Sequence, residues 1–196
     1  MDHVRDAYSA IADRYIDLFG TVGQTDPDDL AFVERHLTIR PGTVIDLGCG
    51  PGHLTGFLRS LGVDAVGVDP VPEFIAHARA AHPDGAYRLG SLETLGAAGY
   101  AGILAWFSLI HLPPSELDGA LATLRSVTAP GGTLVLGYFE SDEVGPFDHK
   151  VTTAYRWPTD EISRRLQRAG FAEVDHLHRP ADGTHRDYGA IAATYV

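Results

Sequence analysis

Cysteine is nearly absent from this chain: Cys49 is the single one among 196 residues. One thiol excludes an internal disulfide and a cysteine metal cage, and it agrees with a reducing compartment. Basic clusters are also scarce. The formal net charge is −11, the isoelectric point is near 5.2, and the densest basic group is Arg164-Arg165 with Arg168. Such a surface offers little to the phosphate neutralisation that drives sequence-independent nucleic-acid binding, although charge alone does not exclude a specific RNA site. No apolar run reaches the length of a membrane span, and Met1 to Asp6 does not read as a signal peptide. The expectation is therefore a cytoplasmic protein with no membrane partner. The ten histidines are scattered. His176 and His178 share a strand face and His77 and His82 flank a helix end, without the acidic or cysteine partners of a closed site, so no metal is expected.

What is present is ordinary globular material, with 44% hydrophobic and 21% charged residues. The length suits one domain, residues 1–196. Its organising stretch is Val44 to Thr55, VIDLGCGPGHLT. Thr43 to Leu47 is a short β-branched run of the kind buried in a parallel sheet. His53 to Leu61 sets Leu54, Phe57, Leu58 and Leu61 on one helical face. Between them Gly48, Gly50 and Gly52 permit positive φ and leave room for a ligand against bare backbone, beside a helix N-terminus with free N–H groups. The third glycine comes one residue earlier than a dinucleotide turn needs, and Asp46 precedes the loop. A carboxylate there disfavours a pyrophosphate and suits a cationic amino group. The next strand, Ala65 to Val68, ends in Asp69, near the spacing at which an acid accepts from ribose hydroxyls.

Asp46-Leu47-Gly48-Cys49-Gly50-Pro51-Gly52 followed by Gly67-Val68-Asp69 closely resembles the first motifs of class I S-adenosylmethionine (SAM) dependent methyltransferases. The resemblance implies SAM as cofactor, with S-adenosylhomocysteine (SAH) as product. It assigns Asp46, Gly48, Cys49, Gly50 and Gly52 to the methionine part, Cys49 as loop backbone rather than as a nucleophile. Asp69, with Pro70 after it, falls to the ribose, and Ser91 with Leu92 to the adenine. Many members carry an acid where Ser91 stands, so that contact falls to the serine hydroxyl or to backbone.

The rest of the chain follows the same pattern. Val4, Tyr8, Ile11, Tyr15 and Leu18 mark one amphipathic helix from Asp2 to Phe19, similar to the cofactor-covering helix of small-molecule methyltransferases, in which Tyr8 and Tyr15 would face the ligand. A second helix opens at Asp26-Pro27, so that residues 1–40 form the covering segment. Strands are expected at Gly85 to Leu89, Ala101 to Trp106, Thr133 to Phe139, Phe171 to Arg179 and Tyr188 to Val196, with helices at Glu73 to Ala80, from Ser115, and at Asp160 to Ala169 under a Thr159 cap. The fold class is α/β: a doubly wound, Rossmann-like sheet of seven strands, mostly parallel, with an antiparallel C-terminal hairpin and helices on both faces. Phe107-Ser108-Leu109-Ile110-His111 leaves the fourth strand at the expected ligand crevice. By the resemblance, Phe107 lies near the cofactor and His111 faces the transfer site. Residues 140–158 break the alternation, mix acids with aromatics, and read as a substrate lid.

Together these observations imply methyl transfer from SAM to an oxygen, nitrogen or carbon nucleophile of a small molecule, secondary metabolites included. His111 or His149 is the candidate general base. A protein or RNA acceptor, a SAM-binding protein without transferase chemistry, and an NAD-dependent oxidoreductase are the alternatives; the last lacks both its glycine spacing and a Tyr-x-x-x-Lys dyad. Partners are a small-molecule acceptor and at most a second copy of the chain, monomer or homodimer.

Overall fold

The computed structural model describes residues 2–96 and 99–196; Met1, Ala97 and Ala98 lie outside the described residues. Five strands run parallel in the order β3-β2-β1-β4-β5: β1 (Val44–Leu47), β2 (Ala65–Asp69), β3 (Ala86–Leu89), β4 (Tyr100–Trp106) and β5 (Thr128–Glu140). The hairpin β8 (Phe171–Arg179) and β9 (Tyr188–Tyr195) closes one side, β9 pairing antiparallel to β5 from Thr133–Thr194 to Phe139–Tyr188. All seven expected strands are present. Residues 140–158 add two short ones, β6 (Gly145–Phe147) and β7 (Ala154–Trp157), the latter pairing with Phe139 and Glu140 beyond the end of β4.

The sheet is buried on both faces because its strands alternate between two apolar layers. Ile45, Leu47, Val66, Val68, Ile103, Ala105, Leu134 and Leu136 pack with Leu117, Leu121 and Leu124 of α6 (Pro114–Val127) and Ile162 and Leu166 of α7 (Thr159–Arg168). Val44, Ala65, Leu104 and Val135 point the other way, against Phe32, Val33 and Leu37 of α3 (Pro27–Leu37) and Leu54 and Leu58 of α4 (His53–Ser60). Asp46 shares the α4 face, which puts a carboxylate inside an apolar layer. Helix α5 (Pro72–Ala81) follows β2. Because the five strands are parallel, the turns after β1, β2, β3, β4 and β5 all gather along one edge, and β1 and β4 are the neighbours at which the strand order reverses.

Two local expectations are corrected. The N-terminal segment is two helices, α1 (Asp2–Ser9) and α2 (Ala12–Phe19), because Ile11 leaves helical geometry at φ −122° and ψ 16°. One straight helix would hold Tyr8 and Tyr15 about 10 Å apart along its axis. The break brings their rings to 5.4 Å from each other and lets both rest on Phe74, at 6.2 and 5.1 Å. At α7 the N-cap is Pro158, not Thr159. The Thr159 hydroxyl is drawn instead to the Glu140 carboxylate and to Tyr138 Oη at 2.7 Å, which ties α7 to the end of β5.

Candidate functional site

The glycine loop is strung between two strands. The N–H groups of Gly48 and Cys49 donate to the Val68 carbonyl at 2.7 and 3.1 Å, and Gly50 N–H donates to Asp69 Oδ2 at 2.8 Å. Asp69 Oδ1 accepts from Val71 N–H at 2.8 Å, so this one side chain fixes both the loop and the turn into α5. All three loop glycines have positive φ, at 70°, 52° and 88°. Their surroundings differ. A Cβ on Gly48 would lie 2.4 Å from Ser108 Cβ, and one on Gly52 would lie 2.7 Å from both Ala78 Cβ and Tyr87; at Gly50 the nearest atom would be Tyr15 Cε1 at 3.8 Å. Gly48 and Gly52 are therefore demanded by packing, whereas Gly50 leaves space above the backbone, roofed by Tyr15.

Beneath the loop, Asp46 is 2% exposed and accepts from the Thr55 hydroxyl of α4 at 2.6 Å. That hydrogen bond ties the carboxylate to α4 directly beneath the glycine loop. Burial pushes its pKa up to about 7 and that of Asp69 up to about 6, in each case against the hydrogen bonds that favour the anion. Cys49 is buried against Ile75, Ala78 and Tyr87, and burial drives its thiol pKa upward, as befits filler rather than a nucleophile. Pro70 is exposed. Ser91 donates its hydroxyl to Glu93 at 2.5 Å and its N–H to Thr94 Oγ1 at 2.8 Å. Both Ser91 groups are engaged locally, while Leu92 begins a short 3-10 turn, Leu92–Thr94.

The covering helices close on a histidine. His111 Nδ1 lies 2.8 Å from the Thr153 carbonyl, which can only accept, so that nitrogen carries the proton. Nε2 then accepts from the Tyr8 hydroxyl at 3.0 Å. Burial lowers the His111 pKa and keeps this tautomer neutral. The His149 ring meets it edge to face at 5.4 Å, and its pKa is pushed down to about 4, first by burial and then by His111. The two histidines are brought together, one from the β4 turn and one from the segment after β5. Phe107 is not part of the glycine cradle: its ring lies 5.1 Å from Phe139 and 5.5 Å from Tyr188, and its φ of 56° is the one positive value at a non-glycine among the described residues.

Sequence reasoning missed Ser108 and Thr55. Ser108 Oγ is buried without a hydrogen-bond partner, against Gly48. Its signal was available in the run from Phe107 to His111, where a polar residue follows the strand at the crevice. Thr55 sits two residues into α4, under Asp46, and nothing in the local pattern distinguishes it from a solvated threonine.

An open α/β sheet with a glycine cradle at its switch point and an acid ending the next strand defines a nucleotide-cofactor fold. The chain belongs to the methyltransferase-domain family, whose sequence profile matches residues 27–177. It is 31% identical over 159 residues to an uncharacterized methyltransferase of Synechocystis, covering 74% of each chain. It is 30% identical over 113 residues to the malonyl acyl-carrier-protein O-methyltransferase of Erwinia billingiae, covering 58% of this chain and 43% of the relative. Over 161 residues it is 29% identical to the dTDP-3-amino-3,4,6-trideoxy-alpha-D-glucopyranose N,N-dimethyltransferase of Streptomyces venezuelae, covering 80% of this chain and 63% of that one. The chain thus spans less than two thirds of the length of these last two relatives. In fold it is similar to the Burkholderia thailandensis 1,6-didemethyltoxoflavin-N1-methyltransferase solved with SAH, at a TM-score of 0.81 and 22% identity over 100% of this chain and 88% of that one. Family membership sets aside the dinucleotide oxidoreductase alternative. No described helix is long and apolar enough to cross a membrane.

Proposed function

We propose that this chain transfers a methyl group from SAM to an oxygen, nitrogen or carbon nucleophile of a small molecule. The observation that carries the reading is the Asp69–Gly50 pairing at the switch point: a buried carboxylate anchors the one loop glycine that has free space above it. The residues fit the cofactor. Gly50 and the partnerless Ser108 hydroxyl suit the methionine end, Asp69 the ribose diol, and the turn at Ser91 and Leu92 the adenine, with Tyr15 as the roof. Bound there, the sulfonium supplies an electrophilic methyl carbon whose leaving group is a neutral thioether.

The protein's own part is positioning and proton transfer. Well-oriented displacement reactions gain on the order of 7–11 kcal/mol from fixing the partners, so the rigid loop matters more than any reactive side chain. His149 and His111 are both held neutral, the form that accepts a proton from a hydroxyl or amine acceptor. The Tyr8 hydroxyl occupies His111 Nε2, which leaves His149 the more accessible base. The segment 140–158, which carries His149 and contacts His111 through Thr153, is the lid over the acceptor. A small molecule is preferred to an RNA acceptor because a net charge of −11 disfavours a polyanionic partner.

Calorimetric titration with SAM, SAH and NAD tests the cofactor. Micromolar binding of the first two without the third is expected, and tight binding of NAD would refute the proposal. Mass analysis of products formed with labelled SAM across oxygen, nitrogen and carbon acceptors then identifies the nucleophile.

A further inference from the structure

A cleft that no cofactor role accounts for lies where β5 ends against the β8–β9 turn. It has a volume of ≈ 300 Å³ and is lined chiefly by Phe139, Phe147, Arg156, Arg186, Glu140 and Asp187. Ligand sites run from about 300 to 1,000 Å³, so this one holds a molecule of one or two rings and not a macromolecular segment. Its wall is aromatic: the Phe139 and Phe147 rings meet edge to face at 5.1 Å, and they approach His149 at 5.7 and 6.0 Å. Phe139 also touches Phe107 at 5.1 Å, which joins the cleft to the turn after β4.

Two carboxylates and two guanidiniums share the lining, with different partners. Glu140 is engaged by the Thr159 hydroxyl and by His178 Nδ1 at 2.6 Å, and Asp187 accepts from Ala181 N–H at 2.7 Å. Both carboxylates are thereby oriented by hydrogen bonds within the protein and remain acidic. Arg156 stands opposite Phe139 in the β5–β7 register, and Arg186 lies 5.0 Å from the centre of the Phe147 ring. Among the described residues neither guanidinium has a carboxylate within 4.0 Å, unlike Arg35, Arg165 and Arg179, which all do. Two guanidiniums without an ion-pair partner beside edge-to-face rings suit an anion attached to a flat apolar body.

We propose that this cleft is the acceptor subsite and that the acceptor is a planar aromatic molecule bearing an anionic group, its ring against Phe139 and Phe147 and its charge at Arg156 and Arg186. The inference rests on the methyl-transfer reading and deepens it: the ring places its nucleophile toward His149, while the arginines hold the opposite end.

The test uses the full chain with SAH present and a panel of phenolic, anilinic and indolic carboxylic acids, each paired with its methyl ester. Isothermal titration should show an acid binding about fivefold to tenfold more tightly than its ester. The double variant R156Q/R186Q should abolish that preference while keeping the wild-type SAH affinity, which also reports that it is folded. If no acid on the panel binds more tightly than its ester, or if the preference survives in the double variant, the assignment is wrong. Failure of the wild type to bind SAH would instead bring down the methyl-transfer reading and this subsite with it.

Discussion

The two ends of the crevice are built on opposite principles. The cofactor end is made of backbone and carboxylates: three glycines, two buried acids and hydrogen bonds that span a few residues or one strand pair. The proposed acceptor end is made of side chains that converge from distant segments, as in the Tyr8–His111 bond across 103 positions and the His111–Thr153 bond across 42. A cofactor of fixed shape can be met by a rigid turn, whereas an acceptor that differs from one relative to another is met by side chains on an added hairpin.

Substitutions should therefore separate the two ends, and the largest effect falls on the first. Asp69→Ala removes both the Gly50 and the Val71 anchors. With each charged hydrogen bond contributing about 1.5–3 kcal/mol, SAH affinity should fall on the order of a hundredfold by titration calorimetry. An unchanged affinity would break the comparison at its root.

His149→Ala should reduce turnover by about 10²-fold while leaving SAH affinity intact, since general bases contribute roughly that much. Because burial holds the His149 pKa near 4, the rate profile between about pH 5.5 and 8 should show no ionisation of this group. A clear inflection near 6.5 that disappears in the variant would show an exposed base instead.

The smallest effect concerns stability and its dependence on pH. Asp46 titrates near 7 when folded, against an ordinary value of 3.8, so the folded state holds its proton more tightly. Its contribution is fully present below about pH 4 and is lost as pH rises through 7. Asp46→Asn keeps an acceptor for Thr55 without the charge, and it should stabilise the protein by about 1–3 kcal/mol at pH 8 and little at pH 4 in urea melts. His149 has the opposite sign: its buried neutral form stabilises above about 6.5, and that stability is lost as pH falls toward 4. A D46N stability gain equal at both pH values would show that its carboxylate is not the titrating group.

The same contrast explains what could be read before the structure. The five parallel strands, the closing hairpin and the glycine cradle were legible because each depends on a short pattern: a β-branched run, a turn, a residue spacing. The Asp26 cap belongs to the same class. The break at Ile11 was not legible, since the apolar spacing from Val4 to Leu18 is continuous and the packing of Tyr8 and Tyr15 on Phe74 is a contact between distant segments. Thr159 reads as a cap from its neighbours alone, but Glu140, nineteen positions earlier, claims its hydroxyl. Nor could spacing show that Arg156 and Arg186 line one cleft with Phe139 and Phe147, because strand pairing and a distant turn bring them there.

Phe107 carries a consequence of its own. Holding an aromatic residue at φ 56° costs on the order of 1–3 kcal/mol that glycine would not incur. Glycine there would relieve the twist but forfeit the ring's contacts with Trp106, Phe139 and Tyr188, so the turn tolerates a local strain in exchange for a ring that joins β4, β5 and β9.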